Sequence, residues 1–311
     1  MNKKIKSDFD RVLFKNLLIQ MRESYSRGEN AMALARKFTK DFNTSISTLI
    51  AYDLQAGSYN KTALENPQGR LLWETQLAKI LNPLVCEKTS ILEVGCGEAT
   101  TLSGVLKQLI SKPKTYLGFD ISWSRCAEGL RWLDLSQQEA TLFVADILDI
   151  PLQDNSIDVV YTSHSLEPNG GLEEEALKEL LRVARKSVVL IEPLFELADT
   201  NAKNRMIEHG YVKNLKSVAQ KLGATISDYR LLDFTFNPLN PSGLILIHKP
   251  NTESMPNVEP VWRCPVTHAP LVENNGVFMS ESTGLIYPVL GGIPMLRAEH
   301  VVVASHWARY A

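Results

Sequence analysis

From position 90 onward, short apolar runs alternate with segments whose apolar residues recur at helical spacing. TTLSGVLKQLI and SWSRCAEGLRWLDL are typical of amphipathic helices. Strands rich in Val, Ile and Leu between such helices indicate a parallel sheet that is covered on both faces. The runs that we predict as strands are SILEVG, TYLGFD, ATLFVAD, SIDVVYTSH and KSVVLIEPL. The pattern predicts an α/β fold with a doubly wound sheet.

The last two apolar runs of this region are arranged differently. ATISDYRLLDFTF and SGLILIHKP are separated only by NPLNP, which is too short for a crossover helix. Strands joined by so short a connection pair antiparallel. The sequence therefore predicts a seven-stranded sheet that ends in an antiparallel hairpin.

The first 88 residues show a helical pattern. One helical face carries Val12, Leu13, Leu17, Leu18 and Met21. Further helices are predicted from Asn30 to Phe42, from a cap at Asn43-Thr44-Ser45 to near Gly57, and from about Pro67 to Leu81. This region is either a packing layer or a lid over a substrate site, and both interpretations stay open.

The sequence predicts a separate small unit in the last part of the chain. A polar stretch with two prolines, NTESMPNVEP, precedes a short region with strand-like runs. We predict a helical lid region at 1–88, an α/β domain at 89–250, a linker at 251–260 and a small β-rich domain at 261–311.

Composition narrows the class of protein. The chain has 311 residues, 44% of them hydrophobic, and a formal net charge of −2, which suits one large domain with a smaller addition. No long Lys/Arg run is present, so nucleic acid and anionic membranes are not expected partners. The basic start, MNKKIKSDFDR, lacks an apolar segment behind it, and no apolar run approaches a membrane span. Four scattered cysteines (Cys86, Cys96, Cys126 and Cys264) suggest reduced thiols and a cytoplasmic location.

The stretch ILEVGCGEAT joins the first predicted strand to a helix through a Gly95-Cys96-Gly97 turn. Such a turn lets a ligand approach the backbone closely, although alone it is a weak signal. A dinucleotide fingerprint would need glycine at Thr100. Two acids, Glu93 and Glu98, flank the turn and disfavour a pyrophosphate. A cationic nucleoside such as S-adenosylmethionine tolerates these acids better.

Two further acids follow the next strands. Asp120 ends the second strand, where a carboxylate can bind both ribose hydroxyls. Asp146 follows the third strand and is placed to accept a hydrogen bond from an adenine amino group. Ile121 and Ile147 come directly after them and are candidates to sandwich the adenine ring. The carboxyl ends of parallel strands face one crevice, so these side chains should lie together.

Residues 88–249 resemble a class I S-adenosylmethionine-dependent methyltransferase of type 11. LEVGCGEAT is similar to the first motif of that family, with Ala99 where many members have glycine. YLGFDIS is similar to the second motif, and VADILDIPLQDNSIDVVYTSHSLE to the third and fourth. The resemblance implies a Rossmann-like seven-stranded sheet and S-adenosylmethionine as the cofactor, with S-adenosylhomocysteine as its product.

The resemblance also assigns residues to parts of the cofactor. It implies that Glu93, Gly95 and Gly97 line the methionine part, and that Asp120 binds ribose. Cys96, between the two glycines, is a further candidate for cofactor binding. It further implies that Asp146 and Ile147 hold adenine, and that the segment from Ser163 to Leu166 flanks the sulfonium.

The methyl acceptor is less well specified by the sequence. TSHSLEPNGG follows the fourth strand, so His164 and Glu167 are candidates for a base or an acceptor-positioning pair. A structural role for His164 stays open, and Pro168 stands where many relatives have histidine. The absence of an Asn-Pro-Pro-Tyr motif weighs against methylation of adenine or glutamine nitrogens. We expect a small, polar, sugar-like acceptor that is methylated at oxygen rather than nitrogen. Candidate lid contacts are Tyr25, Arg27, Gln55 and Tyr59.

The region from about 261 to 303 resembles the zinc-ribbon-like activator subunit of tRNA and translation-factor methyltransferases. RCPVTHAPL and TGLIYPVLGGIPML carry this resemblance. A full ribbon has two Cys-x-x-Cys pairs. Here Cys264 remains, but Thr267 stands in the second position, and Ser280 and Thr283 replace the other pair. We therefore expect a metal-free module and no metal site in the chain.

Three alternatives stay open. The fused module favours a tRNA or translation-factor substrate, which the near-neutral charge opposes. A non-catalytic scaffold with a vestigial cofactor site is a second, and an NAD-dependent reductase is a third. We expect a small-molecule acceptor as the partner, with no nucleic acid and no membrane, and a homodimer stays open.

Overall fold

The computed structural model describes residues 11–38, 44–249 and 261–310. The predicted linker, residues 39–42 of the predicted second helix, and the side chains of Val12 and Leu13 lie outside the described residues. The N-terminal helices are α1 (Arg11–Ser26), α2 (Ala31–Phe38), α3 (Ser45–Leu54), α4 (Ser58–Glu65) and α5 (Pro67–Leu81). The bounds predicted for the last helix agree with α5, whereas α4 was not predicted.

Local sequence explains where α3 and α5 begin. The Thr44 side chain accepts the N–H of Ser47, and the Ser47 hydroxyl accepts the N–H of Thr44, which forms a capping box at α3. At α5, the Asn66 side chain accepts the N–H of Gly69, and Pro67 occupies the first helical position.

The centre of the chain forms one seven-stranded sheet. Its strands, in the order β3-β2-β1-β4-β5-β7-β6, run parallel except for β7, which pairs antiparallel with both β5 and β6. The elements along the chain are β1 (Ser90–Val94), α6 (Thr100–Gln108), β2 (Thr115–Asp120), α7 (Trp123–Leu135), β3 (Thr141–Val144), β4 (Ile157–Ser163), α8 (Glu173–Val183), β5 (Ala184–Pro193), α9 (Thr200–Glu208), α10 (Leu215–Lys221), β6 (Thr225–Leu231) and β7 (Ser242–His248). The predicted doubly wound sheet with its antiparallel last hairpin is confirmed.

Two apolar clusters cover the two faces of this sheet. On one face, Trp73 and Leu77 of α5 pack with Leu102 of α6 against strand residues such as Ile91 and Val159. On the other face, residues of α8 and α10 pack against the sheet. Helices α1 to α3 share a small cluster of their own, which includes Leu17, Met21 and Ile50. The N-terminal region thus contains a packing layer, α5, and a second group of helices above the carboxyl ends of the strands.

The C-terminal residues form a smaller antiparallel sheet. Its elements are β8 (Val272–Asn274), β9 (Val277–Ser280), β10 (Leu285–Leu290), β11 (Ile293–Pro294), β12 (Val302–Val303) and the short helix α11 (Trp307–Tyr310). The order is β11-β10-β9-β8, and β12 also pairs with β10.

The small sheet docks on the edge of the large one. Met295 forms a parallel bridge with Val144 of β3, and the N–H of Leu296 donates to the Val144 carbonyl at 2.8 Å. Trp262 packs edge-on against Phe143, with ring centroids 5.0 Å apart. The exposed edge of β3 is therefore covered by the C-terminal module. Within residues 11–38, 44–249 and 261–310, no helix is both long and apolar enough to span a bilayer.

Candidate functional site

A cleft of about 390 Å³ lies between the carboxyl ends of the central strands and helices α3, α4 and α5. It is lined by residues from the glycine turn, from the ends of β2 and β3, and from the segment after β4. The residues predicted from sequence that line it are Tyr59, Glu93, Gly95, Cys96, Gly97, Asp120, Ile121, Asp146, Ile147, Ser163, His164 and Glu167. Tyr25, Arg27 and Gln55 are not among its lining residues.

The backbone of the glycine turn forms part of the cleft wall. Gly95 and Gly97 have φ angles of +65° and +55°, which L side chains rarely adopt. A Cβ on Gly95 would lie 2.3 Å from the Cβ of Ser165. The lack of a side chain at Gly95 therefore leaves room for the loop after β4.

Asp120 is held rigidly at the end of β2. Its two carboxylate oxygens accept the N–H of Ser122 at 2.9 Å and the N–H of Gly97 at 3.1 Å. Burial raises the pKa of this carboxyl, against the opposing effects of Arg125 and of these N–H groups. Asp120 thus joins the glycine turn to the start of α7 and presents a fixed carboxylate to the cleft.

Glu93 is buried beneath the turn. The hydroxyl of Tyr161 donates to its carboxylate, and the Tyr161 and Tyr116 hydroxyls lie 2.7 Å apart. Burial raises the pKa of Glu93 to about 8, although the Tyr161 hydrogen bond and the charge of Arg70 act against it. The carboxyl is therefore poised to lose a proton when a cation comes close.

Glu98 has a different position from the one that the sequence suggested. Its buried carboxylate accepts the N–H groups of Gly57 at 3.0 Å and Asn60 at 2.7 Å. Both groups belong to the N-terminal turn of α4, which has no side-chain cap of its own. Glu98 therefore caps α4 and is not among the residues that line the cleft.

Arg125 is a lining residue that sequence reasoning missed. Its guanidinium lies over the ring of Tyr59 at 4.2 Å and over the ring of Tyr52 at 4.7 Å, and its Nε donates to the Tyr52 carbonyl at 2.9 Å. These contacts depend on α3 and α4 docking against α7. No local sequence signal could have revealed them.

The end of the cleft at which the sequence predicts the adenine is in contact with the C-terminal module. One oxygen of Asp146 accepts the N–H of Leu148 at 3.0 Å, and the other lies 3.9 Å from Nη2 of Arg297. Arg297 is almost fully buried and follows β11. The small module thus places the positive charge of Arg297 beside Asp146, which the sequence predicts to hold the adenine.

His164 is the centre of a hydrogen-bond network at the opposite end. Its Nδ1 lies 2.9 Å from Glu167, and its Nε2 lies 2.7 Å from the Ser242 hydroxyl. The Asn240 amide also donates to Glu167, at 3.0 Å. A carboxylate only accepts, so the ring proton belongs on Nδ1 and Nε2 then accepts from Ser242. Burial lowers the pKa of His164, but the hydrogen bond and charge of Glu167, with Glu192, outweigh it and raise that pKa.

An aromatic wall accompanies this network. The Trp73 ring lies 5.6 Å from the His164 ring and 5.7 Å from the Phe236 ring, measured between centroids. Both Trp73 and Phe236 line the cleft. They come from α5 and from the loop between β6 and β7, and the sequence did not single them out.

A buried acid supports the loop that carries His164. Glu192 of β5 accepts the N–H groups of Ser165 and Leu166, each at 3.1 Å. Burial raises the pKa of Glu192 to about 7. These bonds fix the loop while His164 itself adopts a left-handed φ of +58°.

The other predicted residues lie elsewhere. Arg27 is exposed and pairs with Glu29 at 2.8 Å, and Tyr25 is exposed on α1. Cys264 is buried, with its sulfur 3.3 Å from the Tyr287 hydroxyl and 3.4 Å from the Thr267 nitrogen. In the part of the chain that the structure describes, no group of three or more His, Cys, Asp or Glu residues is arranged to hold a metal ion.

Residues 91–187 match a family model described as a methyltransferase domain. That segment contains the glycine turn, Asp120, Asp146 and the loop with His164. The match supports a class I methyltransferase.

The chain is similar to several solved structures, and the first of them, with a TM-score above 0.5, supports the fold. The complex between the Haloferax volcanii Trm112 methyltransferase activator and a protein described as a methyltransferase contains a chain with a TM-score of 0.51 and 14% identity, covering 65% of this chain and 98% of that one. Magnesium protoporphyrin IX methyltransferase from Synechocystis PCC 6803 gives a TM-score of 0.45 and 13% identity over 58% of this chain and 80% of the other. Geranyl diphosphate C-methyltransferase from Streptomyces coelicolor gives a TM-score of 0.44 and 9% identity, covering 56% of this chain and 78% of that one. At these identities the likeness concerns the fold.

The cleft fits an adenosyl cofactor. Both glycines of the turn line the cleft, and Asp120 presents a carboxylate at the end of the adjacent strand. Ile121 and Ile147 follow the ends of β2 and β3 and line the same cleft. The donor set therefore suits a nucleoside that carries positive charge.

Proposed function

We propose that this chain is an S-adenosylmethionine-dependent methyltransferase that methylates a small acceptor. The observation that carries the proposal is one cleft that unites the glycine turn with Asp120 and Asp146, inside the segment that matches a methyltransferase domain. When bound, the cofactor would supply an activated methyl group. The task of the protein is then to hold the two reactants together and to exclude water.

In this proposal each acid has a separate task. Asp120 binds the ribose hydroxyls, and Asp146 with Ile147 holds the adenine. Glu93 stabilises the positive charge of the methionine part from beneath the turn. The proposal is supported by the position of all four residues on the cleft wall.

We propose that the acceptor is a hydroxyl compound. A hydroxyl becomes more nucleophilic when a base takes its proton. Because Nε2 of His164 is engaged by Ser242, Glu167 is the better-placed base and His164 holds it in position. The cleft wall combines ring faces of Trp73 and Phe236 with the amide of Asn240. Such a wall favours an acceptor with both polar groups and a compact apolar face, as a sugar has.

Transfer of a labelled methyl group tests this function. Wild-type protein incubated with methyl-labelled S-adenosylmethionine and a metabolite extract should produce a labelled small molecule. His164→Ala and Glu167→Gln should bind the cofactor normally and lose most of the transfer. A variant that transfers label at the wild-type rate would exclude its residue from proton removal or acceptor positioning. Cofactor binding without any transfer would favour the non-catalytic alternative.

A tRNA or translation-factor substrate is the second candidate. It is favoured by the C-terminal module, which extends the sheet beyond β3 and reaches Asp146 through Arg297. An activator-like module fused in this way suggests a macromolecular substrate. Label that appears in tRNA or in a protein, rather than in small metabolites, would establish this candidate in place of the first.

A further inference from the structure

The guanidinium of Arg125 has a buried nitrogen for which the described residues offer no hydrogen-bond partner. The side chain is 1% exposed, and its Nε already donates to the Tyr52 carbonyl. Nη1 lies 3.9 Å from the Glu98 carboxylate, whereas Nη2 is buried and makes no hydrogen bond within the part of the chain that the structure describes. A buried donor of a charged group without an acceptor is unfavourable, so an unpaired guanidinium nitrogen here points to a ligand.

The surroundings hold this guanidinium in one orientation. The rings of Tyr52 and Tyr59 cover it at 4.7 and 4.2 Å. Neither nearby acid accepts a hydrogen bond from Arg125: Glu98 accepts from Gly57 and Asn60, and Asp120 accepts from Gly97 and Ser122. Arg125 also lies at the glycine turn, because a Cβ on Gly97 would be 3.3 Å from Nη1. The guanidinium, with Nη1 next to the turn, is therefore preorganised beside the surface on which the methionine part of the cofactor is proposed to lie.

The charged groups of the cofactor indicate what the guanidinium of Arg125 would bind. S-adenosylmethionine carries two positive groups and one carboxylate, and a carboxylate enclosed in the cleft needs strong donors. Two arginines line the cleft among the described residues. Arg70 already donates to Glu74 and to Thr101, each at 3.0 Å. Of these two arginines, only Arg125 has a buried guanidinium nitrogen without a hydrogen-bond partner among the described residues.

We propose that Arg125 binds the carboxylate of the cofactor's methionine part. This assignment rests on the proposed function and names a contact that neither the motifs nor the family match assigns. Binding would also couple the cofactor to the lid, because the same guanidinium holds Tyr52 of α3 and stacks on Tyr59 of α4.

A comparison of two ligands tests the proposal. S-adenosylhomocysteine and its analogue that lacks only the carboxylate are titrated calorimetrically into wild-type protein, Arg125→Gln and Arg125→Lys. Arg131→Gln is the matched control, because Arg131 lies on the same helix with an exposed side chain that pairs with Glu128. Wild-type and control proteins should prefer S-adenosylhomocysteine over the analogue by about 10- to 100-fold, as expected for a hydrogen-bonded ion pair. The glutamine variant should bind both ligands with similar affinity, and the lysine variant should keep part of the preference.

The outcomes separate this assignment from the proposed function. Binding of both ligands to wild-type protein without a preference would overturn the role of Arg125 and leave the function intact. Equal weakening of both ligands by Arg125→Gln would also overturn it, because the residue would then act only through the lid. Failure of wild-type protein to bind either ligand would overturn the proposed function itself. Should the glutamine variant not fold, the ligand preference of the lysine variant decides, and an undiminished preference contradicts the proposal.

Discussion

The carboxylate of Asp120 accepts N–H groups from Gly97 and Ser122 at the end of β2. A ligand that places two hydroxyls against it would gain two charge-assisted hydrogen bonds. Asp120→Ala should therefore weaken S-adenosylhomocysteine binding by about 100-fold or more, while Asp120→Asn should have a smaller effect. The exposed Asp134, on the neighbouring helix α7, gives the control Asp134→Ala. Unchanged affinity in Asp120→Ala, measured by calorimetry, would contradict the ribose assignment.

The raised pKa of Glu93 predicts that a proton is released when the cofactor binds. Burial holds its pKa at about 8, so below that pH the carboxyl is largely protonated. A bound cation lowers this pKa, and the proton leaves. Affinity for S-adenosylmethionine should thus rise with pH toward about pH 8 and level off above it.

Calorimetry in buffers of different ionisation heat measures this proton directly. Wild-type protein at neutral pH should release a fraction of a proton on binding, and Glu93→Gln should release markedly less. Equal release from both proteins would assign the proton to another group.

Sequence reasoning worked best for residues whose position follows from parallel strands. Gly95, Asp120 and Asp146 come directly after strands, so the topology alone brings them to one edge of the sheet. Trp73 and Arg125 could not be found in this way. Their positions on the cleft wall depend on how helices dock, which no local pattern encodes. The catalytic role of His164 and Glu167 remains a prediction.

At the scale of elements, α4 depends on a distant side chain. Its sequence, SYNKTALE, has a weak apolar pattern, and its N-cap, Gly57, offers no side chain. Glu98 supplies the missing cap through Gly57 and Asn60. This long-range capping explains why the sequence did not predict the helix.

Removal of that cap should loosen α4 selectively. Glu98→Gln loses one of two acceptor oxygens and should lower the free energy of unfolding by about 1–2 kcal/mol. Hydrogen exchange should become faster at residues 58–65 and stay unchanged in α8. The exposed Glu139 provides the control Glu139→Gln. Equal hydrogen-exchange rates at residues 58–65 in the wild-type and Glu98→Gln proteins would show that the helix does not depend on this carboxylate.

At the scale of the whole molecule, the two sheets share a core. Cys264, Phe278, Tyr287 and Leu296 of the C-terminal module belong to the same apolar cluster as Leu92 and Leu180 of the large domain. The predicted division at 251–260 therefore separates two regions of sequence that pack as neighbours. Sequence could indicate the strand patterns of both regions but not this shared packing, because contact between distant segments leaves no local signal.

A shared core predicts cooperative unfolding. Trp262 packs between Phe143 and Phe278, at centroid distances of 5.0 and 5.2 Å. Trp262→Ala should lower the free energy of unfolding by about 3 kcal/mol, while Val266→Ala, at an exposed position, should have little effect. Thermal unfolding followed by calorimetry should show one transition in each protein. Two separated transitions in the wild type would contradict the shared core.

The central claim is that the cleft at the glycine turn holds an adenosyl cofactor. Calorimetric titration of the wild-type protein with S-adenosylhomocysteine, and separately with NAD, tests it most directly. We expect one-to-one binding of S-adenosylhomocysteine that Asp120→Ala weakens by about 100-fold or more, with no heat of binding for NAD. Binding of NAD and not of S-adenosylhomocysteine would contradict it.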